Sequence, residues 1–466
     1  MEISTSILVL LIVCILFACV FEFINGFHDT ANAVATVIYT NTMKPVYAVM
    51  WSGAFNFFGV FMGGIAVAMG IVDLLPVEML IEQSVSSSIA MVLSLILGAI
   101  IWNFGTWYFG IPASSSHTMI GSILGVGLAF SLTPGQEFGS GVNWSKATDI
   151  GSSLLASPLF GFGVALMLMY ILSRTIQNKV IFHAPKANEK PPMWVRFILM
   201  TTCTLVSFFH GSNDGQKGVG LVMLILIGIL PAYYAIDDTV DPSSFVKHTT
   251  GIREIMITVN PDDLAADDRK TYGKIMENLD KVESQIKDAS TVKSITPDTR
   301  FHLRSELLYV TRKIEKMVKN GKLPLDEKVA KELKGHAKDL RNMTDYAPTW
   351  VLVIIAFSLG IGTMVGWKRI VVTIGEKIGK THMSYAQGAS AEIVAASTIG
   401  LSTYMGLPVS TTHVLSSGVA GSMVAQNGIK NLQPKTIRTI LMAWILTLPV
   451  TMLLSGGLFL LFRQLI

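Results

Sequence analysis

Charge is concentrated in one part of this chain. Of its 68 Lys, Arg, Asp and Glu residues, 40 lie between Asp237 and Asp345, and most of the remainder is apolar runs of about 20 residues. Runs of that length can satisfy their backbone in a bilayer only as helix. They lie near 5–40, 46–71, 86–109, 113–133, 150–173, 197–233, 348–366, 385–405, 409–427 and 439–462. Polar residues interrupt the first and sixth, so each reads as one broken helix or as two shorter pieces. Taken as broken single spans, they give ten crossings. The composition agrees: 15% of residues are charged, against about 25% in a soluble domain, and mean hydropathy is +0.52. A net charge of +4 is too small to argue for nucleic acid. The acidic start "MEIST", with no small-residue cleavage site, reads as a retained first span. Cys14, Cys19 and Cys203 all fall in apolar helices and read as small buried hydrophobes.

The positive-inside tendency orients the spans. With the N-terminus outside, 13 of the 16 basic residues beyond the insertion fall inside: Lys44, Arg174, Lys179, Lys186, Lys190, Arg196, Lys368, Arg369, Lys377, Lys380, Lys430, Lys435 and Arg438. The outer loop 72–85 carries Asp73, Glu78 and Glu82 and no basic residue. The same assignment puts residues 234–347 on the extracytoplasmic side.

The chain also repeats itself. "NGFHDTANAVA" (25–35) aligns with "HGSNDGQKGVG" (210–220), pairing Asp29 with Asp214, and "GIPASSSH" (110–117) aligns with "GLPVSTTH" (406–413). Gly64 of "GVFMGG" pairs with Gly360 of "SLGIGTMVG" at the same offset as the serine phrases. The difference between the two offsets, 111 residues, matches the length of the charged insertion. Each half has an odd number of crossings, so the second enters the membrane inverted, as in secondary transporters; duplicated halves also build channels. The expected fold class is an all-α polytopic membrane protein with two inverted-topology repeats, broken helices and a small soluble helical insertion. The expected boundaries are a first repeat at 1–173, a basic cytoplasmic linker at 174–196, the start of the second repeat at 197–233, the insertion at 234–347 and the rest of the second repeat at 348–466.

Glu22, Asn25, His28, Asp29 and Asn32 interrupt the first span, and His210, Asn213, Asp214, Gln216 and Lys217 the sixth. An ionisable residue there costs about 2.5–3.5 kcal/mol to insert, so it should face a cavity, a partner or an ion. Gly26, Gly211, Gly215 and Gly218 suggest unwinding that frees backbone groups as ligands. Pro112 and Pro408 can begin helices, which places Ser114, Ser115 and Ser116, and Ser410, Thr411 and Thr412, in first turns whose free N–H groups favour an anion. Two such turns could hold a tetrahedral oxyanion from two sides. Asp29 and Asp214 would repel it unless Na⁺ or protons intervened, which points to coupling; Glu392 is a further buried acid of this kind. His117 and His413 read equally as packing residues or substrate contacts, and Asn56 and Asn103 as interhelical hydrogen-bonding residues. "GEKIGKT" (375–381) has too few residues between its glycines for a phosphate-binding loop, so ATP-driven transport has no support. The Ser–His phrases superficially offer a membrane enzyme a nucleophile and base, but the duplication argues against it. No metal-ligand cluster stands out.

"NGFHDTANAVATVIYT", "GIPASSSHT", "HGSNDGQKG" and "GLPVSTTHVLSS" resemble the duplicated signature of the inorganic phosphate transporter (Pit) family, bacterial low-affinity branch. The resemblance covers both halves and leaves out the insertion. It implies symport of inorganic phosphate, including soluble complexes with a divalent metal, by a homodimer spanning the lipid of the bacterial inner (plasma) membrane. No resident cofactor is implied, only co-transported H⁺ or Na⁺. Phosphate ligands would come from Asp29, Asn32, Ser114, Ser115, Asp214, Ser410 and Thr411. Cation ligands would come from Asn25, Asp29, Asn213 and Asp214, with Glu22 and Glu392 as further coupling candidates. The second half departs from the sodium-coupled pattern, with Lys217 standing where Asn32 stands in the first. A fixed ammonium there would hold the anion or pair with an aspartate, favouring H⁺ over Na⁺.

The insertion reads as mixed-charge amphipathic helices, such as "DRKTYGKIMENLDKVESQIKD", broken at Asn260-Pro261 and Thr296-Pro297.

Overall fold

Helix is the regular structure of this computed structural model, and no strand occurs among the residues it describes, 5–76, 79, 85–185, 190–230 and 233–465. Glu78, Glu82 and Lys186 of the charge argument lie outside these. The chain divides into two units, one of Met1–Ile225 with Pro348–Ile466 and one of Leu226–Ala347. The first unit opens with α1 (Thr5–Asp29), α2 (Ala31–Tyr39), α3 (Pro45–Met62) and α4 (Ala66–Val72). Then come α5 (Val85–Tyr108), α6 (Ser115–Ser131), α7 (Trp144–Thr175) and α8 (Met193–Ile229), whose last turn reaches the second unit. The second unit adds α9 (Pro242–Ile257), α10 (Ala266–Ile286), α11 (Pro297–Lys319) and α12 (Glu327–Thr344). The first unit resumes with α13 (Thr349–Met364), α14 (Lys368–Glu376), α15 (Tyr385–Tyr404), α16 (Thr411–Asn427) and α17 (Pro434–Leu465).

The first unit wears its apolar side chains outside. Leu8, Ile12, Leu16 and Val20 recur every fourth residue of α1 and are 44–59% exposed, while Cys14, Ala18 and Phe21 behind them are buried. That stripe suits lipid as solvent. Among the described residues six helical stretches are long and apolar enough to cross a membrane, with Thr5–Tyr39 counted as one, or seven if the bent pair Glu327–Thr344 and Thr349–Met364 is one span, where ten crossings were expected. The shortfall lies in α6, α13 and α16, which are 16 or 17 residues long, and in α15, which is too polar. A helix of 17 residues rises about 26 Å, short of the roughly 30 Å hydrocarbon core. Instead α5 folds back against α6, and α15 against α16.

The expected unwinding is not present. α8 runs as one 37-residue helix through Gly211, Gly215 and Gly218, and the α1–α2 break is the single residue Thr30 in helical conformation. The glycines act instead through close approach. A methyl group at Gly211 would strike the carbonyl of Asn56 on α3, and one at Gly26 the carbonyl of Leu359 on α13. Small residues at such crossings let membrane helices pack backbone to backbone. Gly211→Ala is therefore expected to lower stability by about 1–3 kcal/mol, read as an earlier thermal midpoint in detergent, whereas Gly163→Ala, whose Cβ would meet open space, should leave it unchanged.

The second unit has the opposite polarity. Ile252, Met256, Leu279, Val282, Leu307, Val310, Leu333 and Leu340 form its core, while Lys281–Glu277 and Lys322–Asp268 pairs lie on its surface.

Candidate functional site

The two repeated phrases fold alike. α5 and α15 each end in a left-handed glycine, Gly110 (φ 66°) and Gly406 (φ 68°). Gly110 N donates to Trp107 O and Ile111 N to Thr106 O, both at 2.9 Å; Gly406 N and Leu407 N bond to Thr403 O and Ser402 O at 3.0 and 2.9 Å. This is the paired closing bond of a glycine-capped helix end. The chain then runs extended through Pro112 and Pro408 and re-enters helix three residues later. Ser114 and Ser410 are thus the N-caps rather than first-turn residues, and accept from His117 N at 3.2 Å and His413 N at 3.1 Å. Serine suits that position because its hydroxyl satisfies one orphan N–H.

The two starts meet. Ser116 Oγ donates to Val409 O at 2.7 Å, and the His117 and His413 rings stand 4.5 Å apart, with His413 stacked on Trp444 at 4.0 Å. Between them lies Asp29. Its Oδ2 accepts from Ser115 Oγ at 3.2 Å and its Oδ1 from Thr412 Oγ1 at 2.5 Å, so one carboxylate receives hydroxyls from the first turns of both α6 and α16. Asn32 Nδ2 donates to Thr411 and Thr412 at 3.4 and 3.2 Å. Lys217 does the equivalent on the other side: its ammonium donates to Ser116 Oγ, to Val409 O at 3.0 Å and to Asp214 Oδ1 at 2.7 Å. Apart from the half-buried Trp444, no side chain of this group is more than 4% exposed, so the site is closed to water in this conformation.

His210 connects the two aspartates. Its Nδ1 lies 2.9 Å from Asn56 Oδ1, while Asn56 Nδ2 is committed to Thr363 Oγ1 at 2.9 Å. That network assigns the His210 proton to Nδ1. Nε2 then points a lone pair toward Asp29 Oδ2 at 3.8 Å and Asp214 Oδ2 at 3.7 Å. Three acceptor atoms face one another, and two of them, His210 Nε2 and Asp214 Oδ2, have no hydrogen-bond partner. Such a cluster repels itself unless a proton or cation sits within it. Asp29, His210 and Asp214 each offer a ligand atom within 4.8 Å of the others; Asp29 and Asp214 were expected as cation ligands, and His210 was not.

The other expected residues are placed differently. Glu22 accepts from Asn25 Nδ2 at 3.2 Å and its carboxyl packs over Gly218; one oxygen on each of Glu22 and Asn25 lacks a partner. Asn213 staples the second turn, donating to Thr403 Oγ1 and Leu407 O at 3.0 and 3.2 Å and accepting from Val409 N at 3.3 Å. Glu392 stands apart, bonded to Thr36 and Thr202. Ser116, Thr412 and His210 take larger parts than the sequence reading gave them. Ser116 and Thr412 are repeat partners, and His210 sits four residues before Asp214 on one face of a helix, a spacing visible only once that segment is known to stay helical.

Comparison with known proteins gives a consistent result. The phosphate transporter family matches residues 25–455. The low-affinity inorganic phosphate transporters PitA and PitB of Escherichia coli K12 are 42% and 41% identical, over 97% and 100% of this chain and 96% and 99% of theirs. A probable low-affinity inorganic phosphate transporter of Bacillus subtilis is 26% identical over 98% of this chain and 97% of its own. Among solved structures, one described as the sodium-dependent phosphate transporter superposes with a TM-score of 0.63, covering 98% of this chain and all of that one, at 17% identity. It shows a shared fold. The relatives are named as transporters and not as enzymes. With its apolar helices and these relatives, the chain is a multi-pass membrane protein that belongs to the phosphate transporter family.

Proposed function

We propose that this protein is a secondary symporter that takes up inorganic phosphate together with protons. The observation that carries the reading is the Asp29 carboxylate, which receives hydroxyls from the N-terminal turns of both α6 and α16. Those turns bring free N–H groups and two positive dipole ends to one point, the elements that bind an oxyanion at a helix start. A phosphate drawn there would take over the Ser115, Thr411 and Thr412 hydroxyls and lie beside the Lys217 ammonium. Ser114 and Ser410 would serve by keeping the two turns wound. Asp29 tolerates the anion only when neutralised, and this makes phosphate binding depend on the co-ion.

The inverted repeat fits the same reading. Asn32 reaches Thr412 as Lys217 reaches Ser116, and each of these pairs matches under the alignment. Gly59 abuts the carbonyl of Phe208 as Gly362 abuts that of Phe23, a correspondence two helical turns away from the Gly64–Gly360 pairing read in sequence. The second unit's buried apolar core and charged surface fit a soluble insertion.

Protons are favoured over Na⁺ because Lys217 already places a fixed positive charge 2.7 Å from Asp214, and because His210 Nε2 can take a proton between the two carboxylates. Dimerisation, a bacterial inner-membrane location and uptake of divalent-metal complexes of phosphate follow from the family resemblance alone. In proteoliposomes, an inward proton gradient is expected to drive accumulation of radiolabelled phosphate, and an inward Na⁺ gradient at equal pH is not. Uptake that follows Na⁺ and ignores the pH gradient would replace this reading with Na⁺ symport. Flux that only relaxes the phosphate gradient would indicate an anion channel.

A further inference from the structure

The second unit contains a pair of histidines for which the transport reading has no use. His248 on α9 and His336 on α12 bring their Nδ1 atoms to 3.0 Å, 88 residues apart in sequence. Asp339, one turn beyond His336 on α12, places Oδ2 3.7 Å from the same His248 Nδ1. Room for the His336 ring is made on α9 by Gly251, where a methyl group would come within 2.6 Å of Cε1 and Nε2. A glycine inside a helix costs about 1 kcal/mol relative to alanine, and here it lets the tip of the His336 imidazole come against the helix that carries the other imidazole.

We propose that His248, His336 and Asp339 form a binding site for a late first-row divalent metal ion, of which Zn²⁺ is the representative. Zinc binds imidazole nitrogen and carboxylate oxygen at about 2.0–2.2 Å, so neighbouring ligands on a tetrahedron stand about 3.3–3.5 Å apart. The two separations that share His248 Nδ1, 3.0 and 3.7 Å, lie either side of that edge. The Asp339 carboxylate is 53% exposed and would have to turn inward about its own side-chain bonds to join the two imidazoles. Two imidazoles and one carboxylate leave the fourth position to water. Nitrogen-rich sites of this kind prefer Zn²⁺, Ni²⁺ or Cu²⁺ over Mg²⁺ or Ca²⁺, which take oxygen. The ion would tie the first helix of the unit to the last, and a clip across a long stretch of chain restricts the opened state most.

The site lies wholly within Leu226–Ala347 and is independent of the phosphate reading. The test uses the full chain in detergent, stripped with EDTA, with zinc bound in competition with a chromophoric chelator. Wild type should take up zinc, and His248→Gln/His336→Gln should weaken it at least tenfold, with Asp339→Asn weaker by a smaller factor. His210→Gln separates this site from the Asp29–His210–Asp214 cluster and should leave the tight zinc in place. As a second readout, zinc should slow amide exchange in residues 242–257 and 327–344 of the wild type and not of the double variant. The proposal is overturned if wild type binds no zinc, if the double variant binds it unchanged, or if only His210→Gln removes it.

Discussion

Asp29→Asn is expected to reduce concentrative phosphate uptake in proteoliposomes by about a hundredfold or more while leaving the helical content intact. Each hydrogen bond to a charged group contributes about 1.5–3 kcal/mol, and before phosphate enters Asp29 holds two, one from each converging helix, which set the two turns at the spacing the anion then takes over. Asparagine keeps the shape but offers an N–H₂ where the second hydroxyl needs an acceptor. It also removes the negative charge that any co-ion must meet. Loss of about 3–4 kcal/mol corresponds to two to three factors of ten. The measurement is initial rate and plateau with labelled phosphate, alongside circular dichroism. Normal accumulation by this variant would place the substrate elsewhere.

Lys217→Ala should have the largest effect on stability. The ammonium is 1% exposed and bonded to Asp214, Val409 O and Ser116. Its removal leaves a fully buried carboxylate without a charge partner, a loss of about 3–5 kcal/mol. Most of that should appear as a lower thermal midpoint in detergent. Lys217→Asn installs the residue that stands at the matching place in the first half, and there Asp214 should recruit a free cation. Added Na⁺ is then expected to raise the midpoint of this variant and not that of wild type. Equal insensitivity of both would mean that the ammonium is not standing in for a bound ion.

The parts of the fold that the sequence made legible are those in which one residue type has one physical use. Apolar runs marked the helices, clustered charge fell within the compact unit Leu226–Ala347, and the paired Gly-Pro-Ser phrases marked two helix starts that do adjoin. The glycines misled because the same residue serves two ends. Gly211 and Gly218 looked like places for the backbone to open, and in fact they let α8 lie against α3 and against Glu22. Only the neighbour across the gap distinguishes the two uses. His210 was visible as a member of its motif, but its role depends on Asn56, 154 residues away, turning its free nitrogen toward both aspartates. Glu392 shows the reverse case: a buried acid that looked like part of the site has Thr36 and Thr202 as its partners instead.

The pairing of the long helices carries one further consequence. α6 packs along α17 and α16 along α7, so each serine-bearing helix leans on the closing helix from the other end of the chain. α1 likewise lies against α13, and α8 against α3. Much of the interior of each end of the polypeptide is therefore supplied by the other. Cut at the linker near residue 185 and made as separate fragments, the two would be expected to insert yet stay unassembled until brought together. For the same reason, any rocking that exposes the centre to one face and then the other must be shared between interlocked pieces of mixed parentage.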